Sequence, residues 1–248
     1  MTVRALVFQA DARRPARVAR ASAFVFLALA AADGCRESGM DPVEATLSPP
    51  RIVFALKDSL WMDLTSLDDF GGPLPGSLKK IVWRVAAANE TYAGETGVTS
   101  LVETRIPPGL PDTLRFRFLP NGDIYQHGFF ARVAQRKHEA SVPPQWDRIG
   151  AFSLPLGDVW VAGFLDSAGT ARVQGKVVDN GEYYSATVNG VETVFRCSSV
   201  VLLGVDFEFL LTVSGSPGSI VRYREETSSR VPGQQRALTA VRLQQTTP

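Results

Sequence analysis

Residues 182–226 constrain the fold of this chain more than any other stretch, because they hold two long apolar segments with a strand-like pattern. Gly204 separates the segments, and Gly215–Gly218 closes the second one. Side chains alternate across a strand, so each segment places one set of residues on a common face. These sets are Val191, Thr193, Phe195, Cys197, Ser199, Val201 and Leu203, and then Phe207, Phe209, Leu211 and Val213. Val200–Leu203 is apolar on both faces, as expected for a strand covered on both sides.

Similar patterns elsewhere predict an all-β fold. Within 113–118, Leu114, Phe116 and Phe118 share one face, while Arg115 and Arg117 lie on the other. Asn121-Gly122 predicts a hairpin with a type I′ turn, and Asn180-Gly181 is a second hairpin signal. We therefore predict an antiparallel meander that forms a curved sheet, a half-open barrel or a β-sandwich.

The remaining sequence divides into short strand-like runs between Gly-rich and Pro-rich breaks. The segment 58–67 is compatible with a helix or a strand, and the strand is favoured. The last run, 237–245, alternates loosely, which is typical of a sheet edge. The other predicted strands are 52–56, 79–88, 97–106, 124–134, 159–165 and 170–178.

The same order of features occurs in both halves of the chain. Leu56–Trp61 resembles Leu156–Trp160, and Val85–Gly94 resembles Ala186–Phe195 in residue order and in a shared Glu-Thr. In both halves a strand, a Gly-containing turn and another strand follow. This predicts pseudo-repeats at about 52–140 and 150–245. The alternative is that two unrelated β meanders look alike at this level.

The N-terminal region has the composition of an export signal. Arginines precede Ala21–Ala32, an apolar run of 12 residues. Such a run is too short to cross a bilayer, which needs ~20 apolar residues, but it suits the core of a signal peptide. We predict a signal peptide at 1–34, a flexible tether at 35–50 and a single β-rich domain at 51–248. Because the basic segment is long, a start downstream of Met1 is a second interpretation.

Cys35 follows the apolar run in a setting that resembles the bacterial lipobox, whose cysteine is acylated. Gly34 is typical of that motif, whereas Asp33 is unusual. The alternative is an ordinary signal peptide cleaved within Ala30–Ala32. If Cys35 is acylated, Cys197 is a lone thiol that we expect to be buried. If it is not, a Cys35–Cys197 disulfide becomes an alternative.

Three short motifs in the second half resemble a broad group of exported bacterial β-rich domains. Many of these domains are lipoproteins, and most are of unknown function. The motifs are Pro155–Trp160, the strand that ends in Phe195-Arg196-Cys197, and Ser216–Tyr223, in which Ser219 stands at the usual position of a glycine. The resemblance spans about residues 52–245. It implies a curved antiparallel sheet or half-open barrel, and it implies no catalytic residue.

The sequence contains none of the common catalytic or metal-binding motifs. The two histidines, His127 and His138, are too few for a metal site or a serine triad built on converging groups. We interpret them as surface residues and predict no catalytic residue, metal or cofactor. Residues 36–248 carry 21 basic and 23 acidic side chains. This near balance gives no electrostatic footprint for nucleic acid.

These observations favour a non-enzymatic module of the cell envelope. Its expected location is the periplasm or the outer membrane, with a lipid anchor on Cys35 and an envelope protein or lipid as partner. An apolar ligand is predicted on the concave face of the sheet, lined by Phe195, Val201, Phe207 and Phe209. One alternative is an envelope hydrolase with an unfamiliar site that uses His127. The other is a structural subunit that assembles through the edge strand 237–245.

Acylation of Cys35 can be tested by metabolic labelling with a fatty-acid analogue. We expect the wild-type protein to carry the label and Cys35→Ala to lose it, because the acyl acceptor is gone. A label that persists in Cys35→Ala contradicts the lipid anchor at this residue. Absence of label from both proteins favours the ordinary signal peptide instead.

Overall fold

The computed structural model describes residues 49–68, 72–106, 111–136, 142–188, 190–205, 207–215, 218–227 and 233–242, within a structural unit of residues 47–248. The helix α1 is Phe129–Arg136. The strands are β1 (Ser59–Leu67), β2 (Lys79–Tyr92), β3 (Glu95–Ile106), β4 (Asp112–Phe118), β5 (Asp123–His127), β6 (Trp146–Ala151), β7 (Val159–Phe164), β8 (Arg172–Val188), β9 (Val191–Gly204), β10 (Phe207–Gly215), β11 (Gly218–Thr227) and β12 (Gly233–Arg242).

The strands form a single antiparallel sheet in the order β6-β5-β4-β3-β2-β1-β12-β11-β10-β9-β8-β7. The outer strands β6 and β7 approach each other, and Trp160 Nε1 on β7 donates to the backbone carbonyl of Arg148 on β6 at 3.3 Å. The sheet is therefore nearly closed and barrel-like. This confirms the all-β prediction in its half-open barrel form. Within the described ranges, no helix combines the length and apolar character needed to cross a membrane.

The strand order divides into two meanders of six strands, β1–β6 and β7–β12, which are joined where β1 pairs with β12. Trp61 on β1 and Trp160 on β7 occupy the first strand of each meander. The internal duplication itself stays a prediction. Gly94 closes the β2–β3 hairpin and Gly190 closes β8–β9, so an alignment of the halves should match these two glycines.

Aromatic side chains fill the interior of the sheet. Trp83, Phe116, Phe129, Phe130 and Phe209 are fully buried. Phe129 of α1 packs against Phe209 with ring centroids 4.8 Å apart, and Phe209 packs against Tyr223 at 4.7 Å. Helix α1 is thus anchored in the core by its first turn.

Helix α1 contradicts the predicted strand 124–134, of which only the part within β5 is a strand. Gly128, with φ of +66°, ends β5 by adopting a conformation that favours glycine. The residues that follow are buried at helical rather than alternating spacing: Phe129, Phe130, Val133 and Ala134. One adjacent buried pair followed four residues later by another is the signal of a helix.

Two turn predictions were also wrong. The Asn121-Gly122 hairpin exists, but only Gly122 has positive φ, so the turn is not type I′. The ring of Pro120 fixes its own φ. The backbone N–H of Gly122 donates to the carbonyl oxygen of Leu119 at 2.9 Å, which closes a four-residue turn. Asn180-Gly181 is not a turn: β8 continues through it, because register shifts on both sides absorb the extra residues as bulges.

The segment 52–56 is not a strand, although Ile52 and Phe54 are buried. Its first residue lies against Gly218 at the start of β11, where an added Cβ would meet the carbonyl oxygen of Arg51 and the Cα of Ile52. The described part of the predicted strand 237–245 is a strand and lies in β12, but its predicted position at a sheet edge was wrong. β12 lies between β1 and β11 in the sheet, pairing with β1 along its length and with β11 over residues 234–237.

Replacing Phe129 should test whether α1 depends on its aromatic anchor. We expect Phe129→Ala to lower the free energy of unfolding by about 3–5 kcal/mol, because a large cavity is left in a packed core. Urea denaturation measures the change. Gln135→Ala on the exposed side of the same helix should stay within about 0.5 kcal/mol of wild type. Equal effects of the two substitutions would contradict the anchoring role.

Candidate functional site

A pocket of about 260 Å³ lies between α1 and strands β3, β4, β11 and β12. Strands provide its floor, and the second turn of α1 provides one wall. Its ionisable lining consists of four arginines, Arg105, Arg132, Arg136 and Arg236, and three acids, Glu103, Asp112 and Glu225, together with Tyr223. So many charged groups around an inner surface of a barrel-like sheet make this pocket the candidate functional site.

Glu103 and Arg236 form the deepest contact of the pocket. Arg236 donates from Nε to Glu103 Oε2 at 3.0 Å and from Nη2 to Oε1 at 3.5 Å. Trp83 Nε1, directly across from Glu103 in the β2–β3 ladder, donates to Oε2 at 2.8 Å. The carboxylate is therefore held by three donors from two strands.

Glu225 lies on β11, opposite Gln234 of β12, and forms an ion pair with Arg136 of α1. Two residues earlier on the same face, Tyr223 donates its hydroxyl hydrogen to Gln126 Oε1 at 3.1 Å. The guanidinium of Arg236 lies 5.4 Å from the centre of the Tyr223 ring. The ring thus sits between the aromatic core and the charged pocket.

Both buried glutamates remain ionised in this setting. Burial alone would raise the pKa of Glu103, but Arg236, the indole of Trp83 and Arg105 together hold that pKa below its ordinary value. Burial also opposes ionisation of Glu225, and Arg136, Arg236 and Arg132 outweigh it and lower its pKa. These carboxylates serve as fixed negative charges rather than as proton donors near neutral pH.

One donor at the deep end has no partner among the described residues. Arg236 is only 8% exposed, and its Nη1 makes no hydrogen bond there, although Nε and Nη2 are both used by Glu103. A buried guanidinium donor without an acceptor is costly. Because Arg236 lines the pocket, a molecule inside it is well placed to supply that acceptor.

The charged residues at the mouth of the pocket form weaker ion pairs than those at the deep end. Arg132 of α1 and Asp112 at the start of β4 form an ion pair at 3.8 Å, and the Asp112 side chain is 63% exposed. Arg105 is exposed and has no ion pair among the described residues. The mouth therefore carries more positive than negative charge.

Asp147 on β6 fixes the start of α1. Its Oδ2 accepts a hydrogen bond from the backbone N–H of Phe130 at 3.0 Å, as an N-cap does. Burial raises the pKa of Asp147 to about 6, although hydrogen bonds from the Phe130 and Phe129 backbone and from Gln145, and the charge of Arg132, oppose the rise. The helix that carries Arg132 and Arg136 is thus held by a titratable cap.

The predicted apolar ligand residues do not share one surface. Phe207 and Phe209 face the interior and contact Phe129, with ring centroids 6.1 and 4.8 Å away. Val201 of β9 lies opposite Leu210 of β10, whose side chain points away from the face that carries Phe209. Phe195 lies on the same side of β9 as Val201, because the two are an even number of residues apart. The two pairs therefore lie on opposite faces of the sheet. An apolar ligand stays a prediction.

Cys197 is a buried free thiol. Burial, followed by the negative charge of Asp179, raises the pKa of the thiol to about 11. The sulfur is therefore protonated and unreactive, in keeping with a packing role. Cys35, the signal peptide and most of the tether lie outside the described residues.

His127 packs between aromatic rings instead of joining a catalytic group. Its ring centroid lies 5.1 Å from that of Tyr92 and 5.2 Å from that of Trp146. Burial, together with the charges of Arg115 and Arg132, lowers its pKa. Within the part of the chain that the structure describes, no acid or serine hydrogen-bonds to it. His138 lies outside that part, and the described residues contain no group of His, Cys, Asp and Glu able to hold a metal ion.

The pocket residues were missed by the sequence analysis, although a signal exists. Each buried ionisable residue stands two positions from an apolar or aromatic residue that faces the core. The pairs are Leu101 with Glu103, Tyr223 with Glu225, and Leu238 with Arg236. A charge at an inward position of a strand is expensive unless it is paired, so it marks a buried polar site.

No family model and no curated protein sequence matches the chain. Among solved structures, a candidate exported protein with a YmcC-like fold from Bacteroides fragilis is similar over 78% of this chain and 99% of its own, with 11% identity and a TM-score of 0.40. A candidate lipoprotein from Parabacteroides distasonis is similar over 80% of this chain and 100% of its own, with 10% identity and a TM-score of 0.34. Both similarities are low.

The cap on α1 predicts a pH dependence with a definite sign. Since the folded pKa of Asp147 is raised to about 6, the folded state binds the proton more tightly than the unfolded state. Its contribution to stability therefore grows as the pH falls from 7 to 5, by about 1 kcal/mol. We expect Asp147→Asn to lose that increment in urea denaturation at the two pH values.

A matched control is Asp158→Asn, which removes an exposed carboxylate from the β6–β7 connection. This variant should keep the wild-type difference between pH 7 and pH 5. An unchanged difference in Asp147→Asn would show that Asp147 does not titrate as a buried cap.

Proposed function

We propose that this chain is an exported, lipid-anchored and non-enzymatic binding module of the bacterial cell envelope, and that its ligand occupies the charged pocket beside α1. The apolar run Ala21–Ala32 and the position of Cys35 support export and anchoring. They favour a location in the periplasm or at the outer membrane. Binding is supported by the contacts of the pocket itself.

The observation that carries the binding proposal is the unused donor of Arg236. The rest of its guanidinium is committed to Glu103, and the side chain is almost completely buried. A purely structural ion pair of this kind is usually satisfied at every polar atom. Here the unused donor belongs to a residue that lines a pocket large enough for a small molecule.

The state of the acids supports binding rather than hydrolysis. A general acid or base works best when its pKa lies near the ambient pH. Neighbouring arginines lower the pKa of both Glu103 and Glu225, which places them far from that condition. His127, the residue of the hydrolase alternative, packs against Tyr92 and Trp146 and makes no hydrogen bond to these acids among the described residues.

The ligand is expected to be polar rather than apolar. Phe207 and Phe209 of the predicted apolar site already contact the rings of Phe129 and Phe130 inside the sheet. An apolar ligand would have to displace these rings, whereas a polar ligand would enter an existing space.

Blocking the pocket should test this proposal. Gln135 lies on the exposed side of α1 and lines the pocket, so Gln135→Trp should fill the pocket without disturbing the core. We expect wild-type protein, purified from its envelope and denatured, to release a small molecule detected by mass spectrometry. Gln135→Trp should release at least about tenfold less, because the indole occupies the space of the ligand.

Gln135→Ala serves as the matched control, because it shortens the same side chain without filling the space. It should release as much as the wild type. If all three proteins release the same molecules in equal amounts, or release none, the pocket is not the binding site.

A further inference from the structure

The charges of the pocket are distributed unevenly between its deep end and its mouth. At the deep end, Glu103 is paired with Arg236 and Glu225 with Arg136, so positive and negative charges are equal. At the mouth, Arg105 and Arg132 face a single acid, Asp112. The pocket as a whole therefore carries one excess positive charge, and this charge is located at the entrance.

The deep end has a requirement of a different kind. Arg236 Nη1 needs an acceptor, but Glu103 and Glu225 already supply two negative charges around it. A second anion placed there would be repelled by both carboxylates at short range in a medium of low dielectric constant. A neutral oxygen, such as that of a hydroxyl or carbonyl group, satisfies Nη1 without that repulsion.

The mouth suits an anion for the opposite reason. The Arg132–Asp112 contact is long, and the Asp112 side chain is mostly in water, so this pair can be exchanged at little cost. A carboxylate entering the mouth gains both Arg132 and the exposed Arg105. A guanidinium fork is well suited to bind a carboxylate with two hydrogen bonds.

Taking the proposed binding function as its basis, we infer that the ligand is a small organic anion with a neutral oxygen acceptor. Its anionic group lies at the mouth between Arg105 and Arg132, and its neutral oxygen accepts from Arg236 Nη1. The pocket of about 260 Å³ has room for several water-sized groups. A hydroxy acid or oxo acid with a short carbon chain has this size and chemistry.

Four probe compounds with the same carbon skeleton test the anion and the neutral oxygen separately. They are 2-hydroxybutyrate, which has both features, butyrate, which has only the anion, butane-1,2-diol, which has only neutral oxygens, and butylammonium, which has the wrong charge. We expect 2-hydroxybutyrate to bind about tenfold more tightly than butyrate, since the added oxygen meets a charged donor. The diol should bind more weakly than either, and butylammonium should not bind. Isothermal titration calorimetry on the whole protein measures the affinities.

Two variants separate the roles of the mouth and the deep end. Arg132→Gln should lower the affinity for 2-hydroxybutyrate and for butyrate about tenfold each. The ratio of the two affinities should stay unchanged, because only the contact with the anionic group is lost. Arg236→Lys should bring the ratio of 2-hydroxybutyrate to butyrate affinity close to one. Arg196→Gln removes an exposed arginine on β9 outside the pocket and should bind all probes as the wild type does.

Failure of the anion assignment and failure of the proposed binding function give different results. Equal affinity for the diol and 2-hydroxybutyrate, or a preference for butylammonium, overturns the anion assignment, even where Gln135→Trp still blocks the pocket. Absence of binding by any of the four probes also overturns it. Where wild-type protein then still releases a small molecule that Gln135→Trp lacks, the binding function stands with a ligand of another class. Should Arg236→Lys fail to fold, the ranking of the probes on wild type and Arg132→Gln still decides.

Discussion

The ion pair between Arg236 and Glu103 connects the two meanders inside the sheet. Arg236 lies on β12 and Glu103 on β3, with β1 and β2 between them, so the contact spans the interior of the sheet. Removing water from two such groups costs free energy, and only good geometry and additional hydrogen bonds offset that cost. The indole of Trp83 supplies one of these bonds, and the neighbouring Tyr223 ring borders the guanidinium. An apolar pair would fill the same position at lower cost, and the presence of charges here supports the proposed binding role.

Helix α1 connects this charged region with the aromatic core. Its first turn places Phe129 and Phe130 among the core rings, and its second turn supplies Arg132 and Arg136 to the pocket. Asp147 holds the beginning of the helix, and Glu225 binds its last residue. The position of the pocket wall is therefore determined by core packing at one end of a short helix and by an ion pair at the other.

The sequence was sufficient for the fold class and for most of the strands, because alternation within a single strand is a local property. In β4 the alternation of Phe116 with Arg115 and Arg117 was predicted correctly and separates interior from exterior. Alternation does not say which of two apolar faces of a strand points inward. Phe195 and Phe209 were therefore assigned to one cavity, although β9 and β10 place them on opposite faces.

The position of β12 and the pocket could not be predicted, because both depend on contacts between residues far apart in the sequence. Nothing within 237–245 reveals that β1, far away in sequence, completes its ladder, and the partners of Glu103 likewise depend on how the sheet closes. The helix was missed for a different reason. The helix has only eight residues, and an apolar run of that length fits both the helical and the strand period. Only the structure, through the break at Gly128 and the burial of both Phe129 and Phe130, distinguishes the two.

The gap between β6 and β7 gives this sheet a property that a fully hydrogen-bonded cylinder lacks. Within the described residues no backbone ladder joins these two strands, and the indole of Trp160 bridges them through one hydrogen bond. The circumference is therefore not fixed by ladder register, and it can widen at this seam without breaking any strand pairing. Gly163 of β7 lies directly against the ring of Phe130 in the first turn of α1. The seam therefore adjoins the helix that forms one wall of the polar pocket.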